Sequence, residues 1–419
     1  MTPRERIRCA IDHKEADRIP IDLGATLATG IHAGTYSKLK KTLGILDGEV
    51  RVNEPSQFLA EIEDPVKAAL HIDTYGLFPP RTMFGFRNEN WKPFPLADGT
   101  VVNVSGHMEW DTLPDGTTVL YPQGDRSAPP SARMPKGGSF FDTIVRQPPI
   151  DEDKLDAKEF ARQTFSLYTE EDLRGLEETT KRIYENTNYS IVGSFFGASF
   201  SRLTEIMAPF LTHPVGIRDP EEWFASLLLR QDYIREIHEL QFQVGMKNLK
   251  MYKQAVGDRI DVILMSGTDF GTQTGLLFSA DLYRDLFKPL HAEMNRWVHE
   301  NTEWKTFYHT CGSIKPLLDD FYEAGIDILN PVQISAAGMD PHFLKEQYGS
   351  KFVFWGGGVD TQRVLPFETE ENVRGNVRDL LNIFSHGGGF VFSTVHNIQD
   401  KVPVRNILAA FDEVNHFCF

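Results

Sequence analysis

Asp261-Val262-Ile263-Leu264-Met265-Ser266-Gly267-Thr268-Asp269-Phe270-Gly271-Thr272-Gln273 is the stretch on which the reading of the chain turns. Apolar residues run without polar alternation into a loop of small and polar ones. A strand buried on both faces gives that pattern, and such strands belong to parallel sheets. The design recurs at 190–193, 305–308, 326–330, 352–355 and 390–392. Between these runs lie helical stretches with clear starts, among them Asp219-Pro220-Glu221-Glu222 and Ser279-Ala280-Asp281. Upstream, 71–77 and Ile19-Pro20-Ile21-Asp22-Leu23 add two candidates, making eight, the number that closes a (β/α)₈ barrel. The expected fold class is therefore α/β, a single TIM barrel spanning residues 1–419. An open doubly wound sheet is the alternative, but no G-x-G-x-x-G follows the first strand.

Other segments fill in around this frame. Thr2-Pro3-Arg4-Glu5 reads as a helix start, with a hydroxyl cap, proline at the first turn and a carboxylate three residues after the cap. Residues 32–72 return to helical spacing. Residues 88–147 are different: Asp98-Gly99 and Asp115-Gly116 turns flank Val101-Val102-Asn103-Val104 and Thr117-Thr118-Val119-Leu120-Tyr121, and a Pro- and Ser-rich stretch follows. That is hairpin chemistry, read as an antiparallel β insertion within the barrel.

Composition narrows the function. Lys and Arg number 43 against 59 Asp and Glu, a formal charge of −16, the wrong sign for a nucleic-acid surface. No segment approaches the apolar length of a membrane span, and the first residues lack the apolar region of a signal peptide. The three cysteines, Cys9, Cys311 and Cys418, suggest no disulfide framework and suit a reducing compartment. A cytoplasmic protein is expected, of unspecified oligomeric state.

Active sites of such barrels form from the loops at the C-terminal ends of the strands. Those loops carry Asp269 and Gln273, His309-Thr310-Cys311-Gly312-Ser313, Asn330 and Gln333, Gly356-Gly357-Gly358 to Asp360, and His396 to Gln399. His309 and Cys311, two apart at a strand end, project to the same side. A catalytic zinc takes three protein ligands and keeps one position open, and His396 after the last strand can complete the set. Asp269 is the alternative third ligand. A lone His-x-Cys pair weighs little beside the ordinary use of cysteine as a small buried hydrophobe; a second histidine at another strand end strengthens it. His32, His107, His213, His238, His291, His299 and His416 are read as surface or helix residues. Gly356-Gly357-Gly358 fits a tight loop or a close approach to ligand, and Gly387-Gly388-Gly389, before its strand, a helix stop. Of Phe195, Phe196 and Phe200, at least two are expected in the core.

These residues resemble the uroporphyrinogen decarboxylase superfamily, above all its branch of cobalamin-dependent methylcobamide:thiol methyltransferases, which use zinc to activate a thiol. The resemblance is carried by Asp17-Arg18-Ile19-Pro20, Asp269-Phe270-Gly271-Thr272-Gln273, His309-Thr310-Cys311-Gly312, and the tail from Val395-His396-Asn397-Ile398-Gln399 to Val402-Pro403. It implies a (β/α)₈ barrel holding Zn²⁺ through His309, Cys311 and, where the branch has a second cysteine, His396. It further implies a small-molecule thiol as acceptor, methylcobalamin on a separate corrinoid protein as donor, Asp269 and Gln273 as catalytic residues, and Gln333, Asp360 and Gln399 as substrate-binding residues. The decarboxylase branch carries arginines after its first strand, where this chain has Leu23-Gly24-Ala25-Thr26-Leu27-Ala28-Thr29-Gly30-Ile31-His32. Decarboxylation of a uroporphyrinogen-like tetrapyrrole therefore ranks second. A non-catalytic corrinoid- or tetrapyrrole-binding module is the remaining alternative.

Overall fold

The computed structural model describes residues 1–418. Seven strands lie in sequence order in one parallel sheet: β1 (Thr74–Leu77), β2 (Ser190–Ser194), β3 (Val262–Ser266), β4 (Lys305–His309), β5 (Ile328–Asn330), β6 (Val353–Trp355) and β7 (Phe390–Val391). The eighth stave is the segment around Ile21, which bridges Phe392 in parallel. Asp22 N–H donates to the Phe392 carbonyl at 2.8 Å, and Asp73 N–H donates to that of Ile21 at 2.8 Å. The ring thus closes as expected, but through a stave too short to count as a regular strand. Pro20, which has no N–H to offer a ladder, accounts for its brevity.

Strand alternation sorts the side chains into two cores. Val192, Val262, Leu264, Phe307, Ile328, Val353, Trp355 and Val391 pack with one another inside the barrel. Their neighbours Ile191, Ile263, Met265, Tyr308, Leu329 and Phe390 join the layer between strands and helices. Ile7, Ala10 and Ile11 belong to the inner cluster, so the first helix (Pro3–Ile11) plugs the floor of the barrel. Its start is a full capping box, Thr2 with Glu5. Just after it, Asp17 pairs with Arg6, and Arg18 with the buried Asp73, whose Oδ2 also accepts the Ile21 N–H. The Asp17-Arg18 pair of the sequence pattern is therefore a clamp on the first stave, far from the mouth.

The β insertion consists of a hairpin, Lys92–Pro95 with Val101–Val104, and a four-stranded antiparallel sheet, Trp110–Thr112, Thr118–Leu120, Ala132–Met134 and Asp142–Thr143. The two segments flanking the turns thus belong to different sheets. Gly99 and Gly116 have φ of +83° and +86°, beside Asp98 and Asp115, whose carboxylates accept the N–H two residues on. Residues 32–72 are only partly helical. Ala33–Thr42 and Asp64–Ala69 are helices, but Val52–Glu54 pairs antiparallel with Leu59–Ala60. Pro55 after Glu54 ends the extended run, which periodicity alone did not separate. His32, His238 and His291 prove to be buried, the latter two on helices Gln231–Val256 and Lys288–Asn301. Among the described residues no helix is long and apolar enough to cross a membrane.

Candidate metal centre

His309 ends β4, two residues beyond the inward-facing Phe307, and so it projects into the mouth of the barrel. Cys311 follows in the loop, its Sγ 3.5 Å from His309 Nε2. His396, after β7, packs edge-on to His309 with ring centres 5.4 Å apart. One ligand atom from each of His309, Cys311 and His396 can be chosen so that all lie within 4.8 Å of one another. That is the spacing of three ligands around one ion, with two imidazoles and a thiol as a zinc-type donor set. His309 Nδ1 is 2.6 Å from Asn330 Oδ1, and Asn330 Nδ2 donates to the Trp355 carbonyl at 2.7 Å. The amide is thereby oriented to accept from Nδ1, leaving Nε2 free for an ion, the usual arrangement behind a metal-bound histidine. Burial, and next the neighbouring His309, lower the His396 pKa to about 4. Burial, with the nearby Asp269 charge, pushes the Cys311 thiol up. The imidazole is thus held neutral, ready to ligate, whereas the thiol would need a cation to release its proton.

Backbone contacts hold these loops in place. Gly312 has φ +89°, and a Cβ there would lie 2.4 Å from the Gly271 carbonyl carbon. The loops after β3 and β4 therefore meet backbone to backbone, joined by Ser313 N–H to the Thr272 carbonyl at 2.7 Å. His396 is fixed through its neighbour: Asn397 Oδ1 accepts the Gly30 N–H at 2.6 Å, and Asn397 Nδ2 donates to the Leu27 carbonyl at 2.9 Å. The last loop is stitched to the loop after the first stave.

The remaining predicted residues divide. Asp269 borders the centre, its Oδ1 accepting the Cys311 N–H at 2.7 Å and lying 3.9 Å from His309 Nε2. Gln333 is buried, and its Oε1 accepts the Gly312 N–H at 2.7 Å, so it shapes the cysteine loop. Gln399 is exposed at the rim, facing Gln57. Gln273 is exposed on the loop after β3, where its carbonyl accepts the Ala337 N–H. Asp360 caps its own loop, its Oδ1 accepting the Gln362 and Arg363 N–H groups. These last two are not brought to the ligand cluster. Gly356, with φ +108°, lies so close to the Pro331 carbonyl that a Cβ would stand 2.6 Å from it, the tight-loop reading of that triplet.

A cavity of about 330 Å³ opens onto His309, His396 and Asp269, and its wall includes Leu27, Glu54, Phe196 and Arg202. Phe195 and Phe200 are buried, while Phe196 faces the cavity. No sequence motif marks Glu54 or Arg202 as a site residue. Glu54 ends a short strand that the helical spacing of 32–72 masks, although Val52-Asn53-Glu54-Pro55 carries a strand-and-stop signal. Arg202 sits in a loop with no motif to mark it.

The uroporphyrinogen decarboxylase (URO-D) family model matches residues 144–417, more than half of the chain, and the chain belongs to that family. The match begins at the end of the β insertion and takes in β2 to β7. Among solved structures, the chain is similar to a methyltransferase from Methanosarcina mazei, with a TM-score of 0.55 and 14% identity over 100% of this chain and 99% of that one. At that identity the likeness concerns the fold. No curated protein sequence matches.

Proposed function

We propose that this chain is a zinc-dependent methyltransferase that moves a methyl group from a methylcorrinoid, presented by a separate corrinoid protein, to a thiol. The observation carrying the reading is the convergence of His309, Cys311 and His396 at the barrel mouth beside a cavity. The donor set fits zinc, with His309 presenting Nε2 because Asn330 takes Nδ1. Zinc, when bound, supplies the positive charge that lowers the pKa of a thiol in its open position. Asp269, its side chain 41% exposed, stands between the cluster and water and passes the displaced thiol proton outward. Gln333, through Gly312, holds Cys311 in register, and Gln399 with Gln57 orients the incoming group at the rim. Gln273 and Asp360 act through loop shape. The thiolate sulfur attacks the methyl carbon; the S–C bond forms, the Co–C bond breaks, and its electron pair stays on cobalt.

The decarboxylase reading fares less well on charge. The cavity wall offers one arginine against the carboxyls of Glu54 and Asp269, a poor match for a substrate bearing eight carboxylates. The test is metal quantification on wild type and Cys311→Ala, followed by a methylcobalamin demethylation assay over a thiol panel. Stoichiometric zinc in the wild type, lost in the variant, with thiol-dependent demethylation is expected. Activity on uroporphyrinogen without activity on methylcobalamin overturns the reading.

A further inference from the structure

The cavity at the metal centre does not end there. A second chamber of about 270 Å³ shares Leu27, Glu54, Met83, Phe196, Arg202 and Thr204 with it. Arg202 stands at the junction, its guanidinium carbon 4.2 Å from the centre of the Phe196 ring. The nearest carboxylate oxygen is Glu205 Oε1, at 3.6 Å, too far for a hydrogen bond. Glu205 lines the second chamber, and its other oxygen, Oε2, is buried with no hydrogen-bond partner among the described residues. Buried carboxylate oxygens are normally satisfied, because leaving one bare forfeits its hydration without return. Glu54, by contrast, is fully committed: Oε1 accepts the Ser56 N–H and Oε2 that of Met83.

A guanidinium and a carboxyl therefore flank the passage, only loosely paired at 3.6 Å. A ligand carboxylate alone would meet Arg202 but press against Glu205 and Glu54. A ligand ammonium alone would meet Glu205 but press against Arg202. A ligand carrying both answers both. We infer that Arg202 and Glu205 form a head-group subsite selecting a zwitterionic thiol, one bearing a carboxylate and an ammonium, as the methyl acceptor. The inference rests on the function proposed above. In it, Arg202 receives the carboxylate, the Glu205 carboxyl accepts from the ammonium, and the stem runs past Phe196 and Leu27 to bring sulfur to the metal centre.

The test titrates the protein as purified, by calorimetry, with three thioethers that mimic the methylated product: S-methylcysteine, 3-(methylthio)propionate and 2-(methylthio)ethylamine. Thioethers bind zinc weakly, so the readout reports the head group. S-methylcysteine is expected to bind at least about tenfold tighter than either relative, the scale of one desolvated charged contact. Arg202→Gln should bring it level with the amine, and Glu205→Gln level with the carboxylate. Equal affinity of all three for the wild type, or a preference that survives both substitutions, overturns the inference. Zinc content measured on the same samples separates the two readings. Absent zinc would sink the proposed function, while the thioether series still decides the subsite.

Discussion

Oδ1 of Asn330 lies 2.6 Å from Nδ1 of His309, and this contact decides which edge of the imidazole remains for a metal ion. The amide cannot turn over without losing its bond to the Trp355 carbonyl, so the tautomer is set by the neighbouring stave.

Asn330→Ala should weaken zinc binding by about 10–100-fold, the usual effect of removing a partner behind a metal-bound histidine. Competition against a chromophoric chelator measures it. Unchanged zinc affinity would mean that His309 does not ligate through Nε2.

His396→Ala and Cys311→Ala should each lower zinc content well below one ion per chain, with far-ultraviolet circular dichroism unchanged. Zinc should also slow alkylation of Cys311, followed by mass spectrometry. Equal labelling rates with and without zinc would remove the cysteine from the centre.

Gly312→Ala should be costly despite adding one methyl group. The new Cβ would meet Gly271 backbone at 2.4 Å, and φ is +89°, where an L-residue is strained. A loss of about 1–3 kcal/mol is expected from the combined clash and strain, read by urea denaturation. Zinc affinity should fall with it, since Cys311 precedes this residue. Gly99→Ala separates the two causes, because φ there is +83° but its Cβ would meet nothing within 4 Å, so it carries the strain without the clash.

Acid should destabilise the protein through two buried histidines that are not part of the metal centre. Burial lowers the pKa of His238 to about 4 and that of His291 to about 3, from an ordinary 6.5. The unfolded chain therefore takes up protons that the folded one refuses, and stability falls as pH drops through 6.5 towards 4. Each histidine should account for about 2 kcal/mol between neutral pH and about pH 5. Melting curves across that range test the sign. His238→Gln should flatten the slope, and a profile that rises on acidification contradicts the assignment.

What could be read without coordinates follows from the physics of each segment. Val262 to Met265 is apolar on both faces, so strand and sheet type are written in the local pattern. The same holds for the eight-stave count, even where the stave around Ile21 is almost too short to pair. His309, Cys311 and His396 were findable because each follows a strand and a closed barrel gathers strand ends. Gln273 and Asp360 follow strands too, yet their loops turn them to other work, and nothing local to either residue announces that. Arg202 and Glu205 were invisible for a different reason. Their significance lies in what they fail to bond, which only the packed molecule reveals.

The closing of the ring by Ile21 and Phe392 joins residues some 370 positions apart. Such a junction cannot form on a nascent chain until Phe392 has left the ribosome, and bringing the two ends together must overcome the entropy of a very long loop. His396 emerges with that final segment, beyond Cys311 and His309. During synthesis the growing protein thus presents only two of the three side chains of the candidate centre. The three side chains come together at the moment of barrel closure, so under the proposed function zinc uptake would report on the success of folding itself.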